Sequence, residues 1–208
     1  MTRLEKGLYF ITDKALSNGR MLNSVKSVLE GGAVAVQYRE KQLPPRQILE
    51  EARQVKKACV DYGATFIINN SLELAQAADA DGVHLGKSDA TLGKARNILG
   101  GQKIIGASVS SIADLEKAAH ADYLGVGPVF PTSTKPDAAP FMGLEGLAEV
   151  RGLTSKHIVA IGGIGLGNAS SVLHAGADSL AVISGILKQG NWKQAARGFS
   201  KLFVGEQE

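Results

Sequence analysis

The chain has 208 residues, 44% of them hydrophobic, enough for one large domain with a substantial core. Its net charge of +3 is mild and unclustered, which argues against a nucleic-acid binder and suits an anionic small molecule. Cys59 is the only cysteine, excluding a disulfide or a thiolate zinc site within one chain, and it reads as a buried structural thiol on a helix. The N-terminal MTRLEKGLYFITD has no apolar signal core, and no stretch approaches the roughly 18 apolar residues of a membrane span. The expectation is a soluble cytoplasmic protein with no membrane or nucleic-acid partner.

Short β-branched or apolar runs then recur eight times along the chain, each followed by a helix-like segment. They are LYFIT from Leu8, AVAVQYR from Ala33, TFIIN from Thr65, GVHLG from Gly82, KIIGASV from Lys103, YLGVG from Tyr123, HIVAIGG from His157 and SLAVIS from Ser179. Between them, PRQILEEARQVKKACVDYG and SIADLEKAAHA have helical periodicity, and EGGA, DYGA and HAGAD put glycine where a helix stops. Eight βα units without a break in composition predict one (β/α)8 barrel over residues 1–208, with a doubly wound open sheet as the alternative. On either fold, the ligand belongs at the carboxyl ends of the strands.

Reading those ends in order, the second strand alternates Val34, Val36 and Tyr38 on one face with Ala33, Ala35, Gln37, Arg39 and Lys41 on the other. An inward face ending in an amide and two cations predicts a site for a multiply charged anion. Asn69 and Asn70 follow the third strand and Asp89 the fourth, short oxygen donors of the kind Mg2+ prefers, although Asn70 or Ser71 also suits a helix cap. HLGKSD resembles the tail of a P-loop, but position 81 is Asp where that loop needs Gly. His84 falls inside the fourth strand and reads as a hydrogen-bonded barrel histidine. His120, His157 and His174 lie away from the expected mouth, and Ser108 follows the fifth strand, where it could donate to an anion.

After the sixth strand comes GPVFPTSTKPDAAPFMGLEGL, with four of the chain's six prolines around Thr132, Ser133, Thr134 and Lys135. This connection is longer than the usual 2–6 residues and is stiffened by proline, which predicts a lid carrying one cation over a charged ligand. AIGGIGLGN and AVISGI close the last two units. Paired glycines there predict a second phosphate seat, while Asn168 in place of a third glycine argues against a dinucleotide fingerprint.

Taken in this order, VQYREK, INN, HLGKSD, GASV, GPVFPTSTK, AIGGI and AVISGI resemble the thiamine-phosphate synthase family over nearly the whole chain. The resemblance implies an alkyl transferase. A pyrimidine methyl diphosphate would be coupled to a thiazole phosphate with Mg2+, giving thiamine phosphate and pyrophosphate. It implies that Gln37, Arg39, Lys41, Asn69, Ser108 and Lys135 hold the pyrimidine diphosphate, with Arg39, Lys41, Lys135 and Ser108 serving catalysis. It likewise implies Asn70 and Asp89 as Mg2+ ligands, and Thr132, Thr134, Gly163, Ile183 and Ser184 around the thiazole phosphate. A homodimer is left open.

Two positions depart from the family pattern. Asn70 stands where the family usually has Asp, and Lys87 where it usually has glutamine; the first predicts weaker metal binding with retained activity. A related thiazole tautomerase is the alternative, but it relies on a histidine after the fifth strand where this chain has Ser110. A sugar-phosphate isomerase would need an acid/base pair at the mouth, for which Asp13 is the only spare carboxylate, and a non-catalytic precursor-binding protein would not need the full set of cations.

Overall fold

Every one of the eight apolar runs is a strand, and the strands pair in parallel and in chain order, with the eighth returning to the first to close a barrel. The computed structural model describes residues 4–132, 134 and 140–204. The strands are β1 Gly7–Ile11, β2 Ala35–Tyr38, β3 Thr65–Asn69, β4 Gly82–Leu85, β5 Ile104–Val109, β6 Tyr123–Val126, β7 His157–Ile161 and β8 Ser179–Val182. The helices between them are α1 Met21–Glu30, α2 Pro45–Tyr62, α3 Leu72–Ala77, α4 Leu92–Leu99, α5 Asp114–Lys117, α6 Gly143–Leu153 and α7 Ala169–His174. After β8 come α8 Ser184–Leu187 and α9 Trp192–Ser200. None of the described helices is long and apolar enough to cross a membrane.

Alternation along the strands builds two cores. Outward residues such as Phe10, Val36, Phe66, Val83 and Ile105 pack against the helices, while Tyr9, Ile11, Ala35, Ile67, Tyr123, Val159 and Ala181 fill the barrel. Two strand glycines make room inside. A Cβ on Gly106 would lie within the ring of Tyr123, and one on Gly125 would stand 2.6 Å from the His84 ring.

The sequence expectation for the start of β2 needs correcting. Ala33 belongs to the outer core and Val34 packs with the inner one, the reverse of the alternation. The strand proper begins at Ala35, and the turn before it does not obey the two-residue period. The helix expected over SIADLEKAAHA is also shorter, four residues only. Asp114 turns its carboxylate back to the Ser110 and Ser111 amides, so the ordered segment before the helix is a turn.

At the opposite rim a small device recurs. Ala-Asp precedes β4, β6 and β8, and each aspartate accepts the amide of the neighbouring strand: Asp81 from Phe66, Asp122 from Ile105 and Asp178 from Ile158. Each also pairs with a cation on the helix one unit earlier, namely Lys56 of α2, Arg96 of α4 and Arg151 of α6. Val34 occupies the corresponding place before β2, where it fits against Gly7. Cys59 is buried in α2, and burial pushes its thiol up to about 12, as suits a structural rather than a reactive cysteine.

Candidate active site

The carboxyl ends of the strands surround a cavity of roughly 380 Å3. The β2 end supplies its positive wall. Gln37 is buried inside the barrel, and Arg39 and Lys41 follow along the rim, all three lining the cavity. The Arg39 backbone is clamped to the first unit, its amide donating to Thr12 Oγ1 at 2.9 Å while that hydroxyl donates back to the Arg39 carbonyl. Glu40 spends its carboxylate on the amides of Lys41 and Gln42. Among the described residues neither Arg39 nor Lys41 has an acidic partner. A cation with no counter-ion gains about 4 kcal/mol from a unit anion about 4 Å away at an effective dielectric of 20, before screening.

Asn69 donates to Gln37 Oε1 at 3.1 Å from the end of β3. Asn70 adopts φ 69°, a left-handed conformation that asparagine tolerates better than most residues, and its amide donates to the His84 carbonyl. Ser71, not Asn70, caps α3 by accepting from the Leu74 amide, so Asn70 keeps its side chain at the cavity wall. Across the wall, Asp89 Oδ2 accepts from the Gly86 amide at 2.6 Å, which folds the β4–α4 loop over itself.

Lys87 is not aimed at Asp89's neighbourhood as a loose charge. Its ammonium reaches the next loop, 2.7 Å from both Ser110 Oγ and Asp114 Oδ2. Burial raises the Asp114 carboxyl, but the Lys87 hydrogen bond, the Ser110 amide and the Ser111 hydroxyl outweigh it and bring the group to about 2. The lysine's charge is thereby compensated, and the two loops are tied together.

The β6 connection is anchored at both ends. Val129 and Phe130 donate to Ile161 and Gly162, and Met142 and Gly143 donate back to Pro128 and Val129. Thr132 and Thr134 line the cavity, with the Thr134 amide donating to Thr132 Oγ1. Ser133 and Lys135 lie outside the described residues. Gly162 and Ile183 also line the cavity, while Gly163 and Ser184 sit beside them in the chain and off its wall. Gly163 has φ 64° and is pressed against Phe130 and Pro131, where no larger residue fits.

Of the expected residues, Gln37, Arg39, Lys41, Asn69, Asn70, Asp89, Ser108, Thr132, Thr134 and Ile183 are brought to this one cavity. His84 is indeed hydrogen-bonded within the barrel, by both ring nitrogens, and it too lines the cavity. Three contributors escaped the sequence reading. Tyr9 and Tyr123 form the floor, and their inward strand positions were the only signal. Asp114 is the third, hidden in what read as an ordinary helix.

A family model described as thiamine monophosphate synthase matches residues 8–186. The chain belongs to this family. It is 43% identical over 204 residues to the thiamine-phosphate synthase of Chloroflexus aurantiacus, covering 97% of this chain and 94% of that one. With the thiamine-phosphate synthase of Persephonella marina it shares 44% over 197 residues, 93% and 94% of the two chains. Its fold superimposes on a solved structure from Pyrococcus furiosus, a thiamine phosphate pyrophosphorylase, with TM-score 0.89, 37% identity and coverage of 99% and 98%.

Proposed function

We propose that this thiamine-phosphate synthase couples a 4-amino-2-methylpyrimidinylmethyl diphosphate to a hydroxyethylthiazole phosphate, forming thiamine phosphate and pyrophosphate. One observation carries the reading of its site: Arg39 and Lys41, uncompensated by any described acid, line one cavity with Asn69, Asn70, Asp89, Ser108, Thr132 and Thr134. A cavity with a positive wall, an oxygen-donor pair and hydroxyls opposite suits two phosphorylated substrates.

The donor set fits Mg2+. No cluster of three or more His, Cys, Asp or Glu exists among the described residues, but Mg2+ bound with a diphosphate keeps waters and phosphate oxygens and needs only one or two protein ligands. Asp89 would supply the carboxylate, since Oδ2 alone is taken by Gly86, and Asn70 an amide oxygen. When bound, the ion neutralises charge on the diphosphate leaving group.

The chain's own residues then position and stabilise. The C–O bond to the diphosphate ionises, its electron pair leaving with pyrophosphate, and the positive charge spreads into the aminopyrimidine. The thiazole nitrogen attacks that carbon and forms the new C–N bond. Arg39 and Lys41, with Lys135, would hold the departing anion, and Ser108 would donate to it. Thr132, Thr134 and the Gly163 and Ile183–Ser184 turns would hold the thiazole phosphate. No general base is required, and the His84 imidazole at the cavity is engaged by Tyr123 and Ser108.

Nothing favours the thiazole tautomerase alternative, whose histidine would fall at Ser110; that hydroxyl is committed to Lys87 and Asp114. Incubation with both substrates and Mg2+, read by mass spectrometry for the coupled product and by 1H NMR for the thiazole phosphate, tests the proposal. Equimolar thiamine phosphate and pyrophosphate are expected; an altered thiazole phosphate with no coupled product would replace the reading with the tautomerase.

A further inference from the structure

Six polar side chains run as a file from one side of the cavity, down through the barrel interior and back up to the other, with Gln37 also within hydrogen-bonding reach of Tyr123. Asn69 Nδ2 donates to Gln37 Oε1 at 3.1 Å, and Gln37 Nε2 donates to the Tyr9 hydroxyl at 2.9 Å. Tyr9 and Tyr123 share a hydrogen bond of 2.9 Å, Tyr123 meets His84 Nδ1 at 3.0 Å, and His84 Nε2 meets Ser108 Oγ at 3.0 Å. We infer that this file is polarised from Gln37 to Ser108, fixing His84 as the Nε2–H tautomer and turning the Ser108 hydroxyl proton into the cavity as a donor to the diphosphate.

The direction follows from the Gln37 amide, whose nitrogen faces Tyr9, and from counting protons thereafter. A phenol has one proton to give. The Tyr9 oxygen already accepts from Gln37, so its proton has only Tyr123 to go to. Tyr123 must then give its own proton to His84 Nδ1. A ring nitrogen that accepts cannot carry the tautomeric proton, which therefore sits on Nε2 and points at Ser108 Oγ. Ser108 accepts there and keeps its proton for the cavity it lines.

Running one bond backwards would strand a phenolic proton. Both tyrosines are 1% exposed, and an unmet buried donor costs about 1–3 kcal/mol. Burial also lifts both phenols well above their ordinary range, so each remains a donor. The packing is built for the file, since Gly106 and Gly125 leave the space that the Tyr123 and His84 rings occupy. His84 is on this account a positioning residue for Ser108. Only the last link, from Ser108 to the ligand, rests on the proposed function.

The test is the 15N–1H spectrum of the histidine rings in the free protein and with inorganic pyrophosphate and Mg2+, the His84 signals being assigned by their loss in His84→Gln. A proton on Nε2 and none on Nδ1 is expected in both states; a proton on Nδ1 in either overturns the inference. In Gln37→Glu the new carboxylate can only accept from Tyr9, so the file must reverse and the proton move to Nδ1; an unmoved proton is contrary. Should that variant not fold, Tyr123→Phe must yield a mixture of tautomers, and a spectrum like the wild type counts against the file. In turnover, His84→Asn should lower kcat about tenfold with KM within twofold, while His84→Gln, whose amide can reach Ser108, recovers at least half. Equal losses in the two variants would reduce His84 to packing. The ring spectra need no turnover, so a failure of the proposed coupling leaves them readable.

Discussion

The two rims of this barrel treat charge in opposite ways. At the amino ends of the strands, each of Lys56, Arg96 and Arg151 is matched to an aspartate that also accepts a strand amide. At the carboxyl ends, Arg39 and Lys41 have no described acid within reach, and the nearby Glu40 is turned to backbone. Paired charge at one rim ties strands to helices, whereas unpaired charge at the other is, on the proposed function, held in reserve for a ligand. The difference separates residues whose loss should unfold the protein from residues whose loss should silence it.

Removing a mouth cation is the hardest test of that division. Arg39→Ala should lower kcat about 100-fold or more with the melting temperature within 2 °C, measured by pyrophosphate release and calorimetry, the size expected for losing a charge stabiliser of the transition state. A large fall in stability instead would put Arg39 among the structural cations.

At the other rim the pattern should invert. Asp178→Ala removes partners from Lys6, Arg151 and the Ile158 amide together, and should cost about 2–3 kcal/mol in urea unfolding with kcat/KM nearly unchanged. Equal damage to turnover would show that the rims are not independent.

Asp114 stands between the two classes, being a paired charge located at the mouth. Its folded carboxyl, at about 2, lies below the ordinary 3.8, so its stabilisation is present above pH 3.8 and is lost as pH falls toward 2. Asp114→Asn should therefore be about 1–2 kcal/mol less stable at pH 7, with the gap closing over that window. A gap independent of pH would mean that the carboxylate charge contributes nothing.

The smallest effect concerns the metal. Asn70→Asp adds a charged oxygen donor and should lower the Mg2+ concentration for half-maximal rate about three- to tenfold, with Mn2+ binding followed by electron paramagnetic resonance moving in parallel. No change in either would take position 70 out of the metal site.

Most of the architecture could be read from the chain because each strand repeats the same local rule, an apolar run closed by glycine or a turn. The face of β2 from Ala35 onward was legible for the same reason, and it exposed Gln37, Arg39 and Lys41 as an inward series. What stayed hidden depends on partners remote in sequence. Nothing local distinguishes Asp81, Asp122 and Asp178 from solvent-facing acids until Lys56, Arg96 and Arg151 arrive from other elements. Lys87 stood out only as a departure from the usual glutamine, and the fold alone shows that Asp114 compensates it. Tyr9 and Tyr123 drew no reading from the sequence, since their hydroxyl partners lie on four different strands.

A crystal structure with Mg2+ and pyrophosphate addresses the reserve of unpaired charge most directly. The account predicts the anion against Arg39 and Lys41, with Ser108 Oγ in hydrogen-bonding reach and the ion on Asp89. Pyrophosphate seated elsewhere, with Arg39 and Lys41 still facing only solvent, would contradict it.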